Sequence, residues 1–326
     1  MELDKNNILK NSEVYKNYEI IKNLGKGGMS YVFLIKNIKA NKLYTLKYRN
    51  LDHNENNKTK FFDEIQILKE LNIRNIPQII EYVFNDNEQF FIFDYIEGIS
   101  LSQYIHKNTN INIDLANHFM LQLLKIINNL HKNKIIHRDI KSQNILISKN
   151  YELHLIDFGI SMHNGSKITS NTKINCSPYY AAPEYSNQEI VISPSLDIYA
   201  LGILYFELLT GFLPFQGKNE IETILMHIEN EFPNIKKINK EIPDSILYII
   251  NKATQKLPNN RYKNINEFYE DISNSLQIKN NAYRVSYDNK KIRSVSKLIW
   301  IIFTLILLLL IFLLTFIIIF KVKGII

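Results

Sequence analysis

A single cysteine, Cys176, stands among 326 residues, so no disulfide can close within the chain and nothing points to an oxidising compartment. Proline is scarce at 8 residues while apolar residues make up 46%, which excludes a long disordered region and argues for a globular chain. The N-terminus, Met1-Glu2-Leu3-Asp4-Lys5-Asn6-Asn7, lacks the apolar core of a signal peptide, so the folded part is expected in the cytosol. Charge imbalance is also lacking over most of the length. The net charge is +7, but residues 281–326 hold seven basic side chains (Arg284, Lys290, Lys291, Arg293, Lys297, Lys321, Lys323) against one acid, Asp288, and supply +6 of it. Residues 1–280 are therefore nearly neutral, and a nucleic-acid partner is not expected.

The basic cluster flanks a long apolar run. Leu298 to Phe320 is 23 residues without a charge, Thr304 and Thr315 being its only polar members. At about 1.5 Å per residue, a helix of that length crosses the hydrocarbon core of a bilayer. Five basic residues precede the run and two follow it, so the positive-inside rule keeps the preceding domain cytoplasmic. A single-pass anchor in the cell membrane is the expectation, with 276–297 a basic linker and 321–326 a short extracytoplasmic tail. Self-association through that helix is left open, although no small-xxx-small pattern supports it.

Chemistry concentrates in His137-Arg138-Asp139-Ile140-Lys141-Ser142-Gln143-Asn144 and, thirteen residues later, Asp157-Phe158-Gly159. A hairpin joins them, Ile145-Leu146-Ile147 and Leu153 to Ile156 around a turn at Lys149-Asn150. A carboxylate such as Asp139 can align a hydroxyl that attacks a terminal phosphate and take its proton late in the reaction. Asp157 with Asn144 offers hard oxygens for a divalent cation, and Lys141 offers a positive charge beside the phosphate in flight.

In that order and spacing the stretch resembles the catalytic loop and metal-binding triplet of the Hanks-type protein kinases, and Lys141 matches their serine/threonine branch. The resemblance implies an α+β, bilobal kinase fold: a β-rich N-lobe over 18–93, a hinge at 94–98 and a mainly helical C-lobe over 99–275, after an N-terminal extension at 1–17. It implies catalytic roles for Asp139 and Lys141, ATP and magnesium or manganese as cofactors, metal ligation by Asn144 and Asp157, and proteins as substrates.

From Tyr18, two β-rich runs flank Gly25-Lys26-Gly27-Gly28-Met29-Ser30, a hairpin whose bare backbone can approach phosphates. Gly25 and Gly27 match the family pattern and Ser30 departs from it. Lys47, ending the strand Tyr44-Thr45-Leu46-Lys47, falls where the family places a phosphate-binding lysine, with Thr45 in place of the usual alanine. Phe61, Ile65, Leu68 and Leu71 predict a helix over Lys58 to Leu71. Glu64 beside that stripe is implied as the partner of Lys47. Strands are predicted at Ile79 to Phe84 and Gln89 to Phe93, with Phe93 as gatekeeper and Asp94 to Gly98 as the adenine-binding hinge. By resemblance, Leu24, Gly25, Lys26, Gly27, Gly28, Val32, Thr45, Lys47, Glu64, Phe93, Asp94, Ile96 and Leu146 line the ATP pocket.

Leu115 to Lys132 reads as a helix capped by Asp114 and stopped at Asn133. His137 is expected to support the loop, and Arg138 to receive a phosphate from the segment Asp157 to Glu184. Ser161, Ser166, Thr169, Ser170 and Thr172 lie on that segment, with Thr169 and Thr172 the preferred acceptors. Ser177 is implied as the hydroxyl touching Asp139 and Lys141, and Cys176 as a small side chain in place of glycine. Ala182-Pro183-Glu184 matches a family triplet whose partner would be Arg261. Asp197 opens an almost wholly apolar helix ending at Gly211 and is implied to hold the catalytic loop. Two other readings stay open: a pseudokinase scaffold, suggested by Ser30, Thr45 and Cys176, and a small-molecule phosphotransferase, which would not carry Ala182-Pro183-Glu184 with Arg261.

Overall fold

Tyr18 begins a run of β-branched and aromatic residues broken by polar turns, and these build an antiparallel sheet of five strands: β1 (Tyr18–Lys26), β2 (Ser30–Asn37), β3 (Leu43–Arg49), β4 (Ile79–Phe84) and β5 (Gln89–Asp94). Their order is β1-β2-β3-β5-β4, so β3, which carries Thr45 and Lys47, is central. The computed structural model describes residues 9, 12–27, 30–49, 55–108, 111–169, 176–187 and 189–276. Between β3 and β4 runs α1 (Glu55–Glu70), which begins a turn earlier than its apolar spacing predicts and buries Glu64 in line with Phe61, Ile65 and Leu68. The residues before Tyr18 add to the small lobe: Leu9 and Val14 pack with Phe33 and Ile35, and Ser12 caps the turn Glu13–Lys16.

After β5 the chain crosses to a mainly helical lobe. There β6 (Gly98–Ser100) leads into α2 (Leu101–Lys107), whose N-terminus is closed by a capping box of Ser100 and Gln103. Next comes α3 (Ile113–Lys132), two residues longer at its start than predicted. Its cap is Asn112, whose side chain accepts from the Leu115 amide, while Asp114 lies in the first turn. A short β7 (Ile135–Ile136) leads into the loop 137–144, after which β8 (Ile145–Ser148) and β9 (Leu153–Leu155) form the predicted hairpin. Two further strand pieces, β10 (Met162–His163) and β11 (Lys167–Thr169), precede β12 (Glu189–Val191), which pairs with β11.

The helix α4 (Pro194–Thr210) is buried from Leu196 through Thr210 and stops at Gly211, whose φ of 76° suits glycine. It is the post on which the lobe is hung. α5 (Glu220–Glu229), α6 (Asp244–Ala253) and a helix over 265–276 complete the described chain. Both lobes belong to one unit, Met1–Ile272, and Ser273–Ile326 forms another. The apolar run 298–320 lies outside the described residues, among which no helix is long and apolar enough to cross a membrane.

Candidate active site

Three elements converge on the loop between β7 and β8. From α4, Asp197 accepts the amides of His137 (2.9 Å) and Arg138 (2.8 Å), and His131 Nε2 lies 2.8 Å from its Oδ2. Burial works against that carboxylate, but His131, His137 and the Arg138 amide outweigh it and hold its pKa below the usual range. This grip keeps Arg138 at a φ of 69°, a left-handed conformation that costs a branched or bulky residue about 1–3 kcal/mol. Asp157 has a φ of 66°. Of the six non-glycine residues with positive φ among those described, these two lie on the loops of the candidate site.

His137 is fully buried and its Nδ1 accepts the Asp139 amide at 3.3 Å, while Phe158 packs edge-on at 4.9 Å. Burial lowers its pKa and favours the neutral ring, which takes the Asp139 amide and Phe158 as its neighbours. The Arg138 guanidinium donates to Ile160 O (2.8 Å) and to the Tyr185 hydroxyl (3.4 Å). Thr172, one preferred acceptor, lies outside the described residues; Thr169 ends β11, opposite Glu189. Ser161 is buried and donates to His137 O, so it holds the loop and is not an exposed acceptor.

Asp139 is held from both sides. Its Oδ1 accepts the Ser177 hydroxyl at 2.6 Å, and its Oδ2 accepts Lys141 Nζ at 2.7 Å and Asn144 Nδ2 at 2.8 Å. Lys141 also donates to Ser177 at 2.8 Å, so the segment carrying Ser177 and the loop carrying Asp139 share one network. Such charge-assisted bonds fix the carboxylate's orientation.

Across the cleft, Lys47 Nζ lies 2.7 Å from Glu64 Oε1 and 3.0 Å from Asp157 Oδ1. Burial opposes the charge on Lys47, but the two carboxylates raise its pKa above that of a free lysine. Burial pushes Glu64 upward against the pull of Lys47. Lys47 holds the Asp157 carboxyl down to about 2. Because this folded-state pKa is depressed, the stability Asp157 contributes is complete above an unfolded carboxylate pKa of about 4 and is lost as pH falls through about 2. Asp157→Asn should therefore be less stable than wild type near neutrality, with the gap closing between pH 4 and pH 2 in acid unfolding followed by circular dichroism.

Asn144 and Asp157 suit a divalent cation. Both Asn144 amide hydrogens go to Asp139, and neither Asn144 Oδ1 nor Asp157 Oδ2 has a hydrogen-bond partner among the described residues. Two hard oxygens thus line the same cavity unengaged. That cavity has a volume of about 790 Å³. Leu24, Gly25, Lys26, Gly27, Val32, Thr45, Lys47, Glu64, Phe93, Asp94, Ile96 and Leu146 all line it, as do Asp139, Asn144 and Asp157; Gly28 lies outside the described residues.

The Ala182-Pro183-Glu184 segment is anchored as expected: Arg261 grips Glu184 with two bonds of 2.7 Å each. A second anchor was not legible. Glu207 on α4 accepts Ser142 Oγ at 2.9 Å and the Tyr180 hydroxyl at 2.5 Å, joining catalytic loop, substrate loop and core helix inside the lobe. The only sequence signal was a glutamate in an otherwise apolar helix. Burial pushes the Cys176 thiol up to about 11, so it is a poor nucleophile at neutral pH and fits its reading as a small packed side chain.

An ammonium, two hard oxygens and a braced carboxylate along one cleft are the parts of a phosphotransferase. The match to known families is specific: residues 18–287 correspond to the protein kinase domain. The chain belongs to the protein kinase family, in its Hanks-type serine/threonine branch. It is 34% identical over 262 residues to serine/threonine-protein kinase PrkC of Bacillus subtilis, covering 79% of this chain and 40% of that protein. Probable serine/threonine-protein kinase PknB of Lactococcus lactis is 31% identical over 265 residues, covering 80% and 42% respectively. Serine/threonine-protein kinase cds1 of Schizosaccharomyces pombe is 29% identical over 255 residues, covering 75% and 55%. The chain therefore matches about two fifths of the length of the two bacterial relatives.

Proposed function

We propose that this chain is a serine/threonine protein kinase, anchored in the cell membrane by 298–320 with its catalytic domain in the cytoplasm. It transfers the γ-phosphate of ATP to serine and threonine hydroxyls of proteins, its own activation segment among them. The observation that carries this reading is the Asp139 carboxylate, held by Ser177, Lys141 and Asn144 opposite the Lys47–Glu64 pair. Every position the transfer requires is filled, which weighs against a pseudokinase scaffold. The Glu184–Arg261 anchor favours protein over small-molecule acceptors.

The acceptor oxygen attacks the γ-phosphorus, the bond to the β,γ-bridging oxygen breaks, and ADP leaves. Asp139 aligns the attacking hydroxyl and takes its proton as the new oxygen–phosphorus bond forms. Lys141 stands beside the charge on the transferred group, and Lys47, braced by Glu64, holds the phosphates of the donor. Bound by Asn144 and Asp157, magnesium or manganese would neutralise phosphate charge. Positioning and electrostatics do most of the work.

Thr169 and Thr172 are the proposed self-acceptors. The basic linker before Leu298 supports the cytoplasmic orientation. Two assays test the reading. Transfer of label from γ-labelled ATP to a protein acceptor should stop when a chelator removes divalent cation, and the full chain should stay in membranes washed with alkaline carbonate. Nucleotide binding without transfer would favour the scaffold, and release by carbonate would refute the anchor.

A further inference from the structure

Period-two alternation along β3 puts Thr45 on the same face as Lys47, one pleat nearer the hinge, while Leu46 faces the small-lobe core. Its cross-strand partner on β5 is Phe93, the last residue before Asp94. Thr45 is 6% exposed and lines the cavity, and its hydroxyl makes no hydrogen bond among the described residues. That hydroxyl is not among the unpartnered buried atoms sealed from solvent, so it opens on the cavity. A hydroxyl that faces a cavity without a partner from the protein is free to take one from a ligand. Val32, Phe93 and Leu146 add apolar side chains to the same cavity, and the Ile96 amide makes no hydrogen bond among the described residues.

We infer that Thr45 is a specificity-determining residue, its hydroxyl accepting a hydrogen bond from the exocyclic amino group of adenine; this rests on the reading of the cleft as an ATP site. A purine enters with its ribose end directed to the phosphate groups at Lys47 and Asp157. The substituent farthest from that end is the group at carbon 6. Thr45 and Phe93, paired across β3 and β5 beside Asp94, line the cavity on the side away from Lys47 and Asp157, and there that group arrives. The neighbouring Val32, Phe93 and Leu146 side chains offer it only carbon.

The test is equilibrium binding of two nucleotides to the full chain: ATP, and purine riboside triphosphate, which has hydrogen in place of the 6-amino group. Thr45→Val keeps the shape and strand preference and removes only the hydroxyl. It should weaken ATP by about tenfold, the worth of one buried hydrogen bond of this kind. Purine riboside triphosphate should change by less than about twofold, because it never made the bond. Thr45→Ser, which keeps the hydroxyl, should retain the preference for ATP, and comparing the ratio within each variant removes any general loosening of the strand. Equal changes for both nucleotides in Thr45→Val, or tighter binding of both, would overturn the inference while leaving the kinase reading intact. A wild-type chain that bound neither nucleotide would overturn both.

Discussion

Asp139→Asn should lower turnover by about a thousandfold, within the range of about 10²–10⁴ that a positioned general base contributes. The substitution is nearly isosteric, so the loop keeps its shape. What changes is chemistry: an amide cannot take the acceptor's proton, and its NH₂ must face either the Ser177 hydroxyl or the Lys141 ammonium, both of which donate to Asp139 in the wild type. Nucleotide affinity should hardly move, because Lys47, Glu64 and the hinge are untouched. Steady-state kinetics on a peptide acceptor with the full chain separate the two effects, since the loss belongs in kcat and not in the KM for ATP. A loss smaller than tenfold would mean that Asp139 only positions the acceptor.

Loss of Arg261 should produce the largest stability effect. Its side chain is fully buried, and every guanidinium hydrogen has a use: two bonds to Glu184, and one each to the carbonyls of Gln255, Ser195 and Lys256. The guanidinium also lies 4.8 Å from the Tyr199 ring centroid. Arg261→Ala leaves the Glu184 carboxylate with only the Ser195 hydroxyl at 3.3 Å and takes a donor from three carbonyls, and removing one partner of a buried pair costs about 3–5 kcal/mol. For a domain of this size that is a fall in Tm of roughly 6–15 °C. Arg261→Lys keeps the charge but not the planar fork, so an intermediate Tm is expected. An unchanged Tm in Arg261→Ala would show that the anchor is solvated in solution and does not hold the segment.

The parts legible in the sequence are those where one residue type at one position is required by chemistry or by backbone geometry. The β8–β9 hairpin and the glycine stop after α4 belong to this group, whereas the Lys47–Glu64 pair and Ser177 on Asp139 were legible through the resemblance to the kinase motifs. Helix ends were less legible, because several polar residues stand near each start and only geometry chooses among them. Asn112, not Asp114, reaches the Leu115 amide, and α1 begins at Glu55 although its apolar stripe starts only at Phe61. Long-range polar bonds left the least trace. Ser142, Tyr180 and Glu207 are separated by 38 and 27 residues and have no periodicity linking them. Ser161 looked like any loop hydroxyl until its donation to His137 O was seen. Leu9 and Val14 preceded the first recognisable strand, yet they fill the small-lobe core.

The central claim is that the Asp139 network moves the γ-phosphate of ATP to protein hydroxyls of one kind. The most direct measurement is phosphoamino-acid analysis after incubating the purified full chain with γ-labelled ATP, magnesium and a mixed protein acceptor. Phosphoserine and phosphothreonine without phosphotyrosine is the predicted result, with peptide mapping placing part of the label within 157–184. Label recovered only as ATP and free phosphate, from a chain shown to bind nucleotide, would contradict the account.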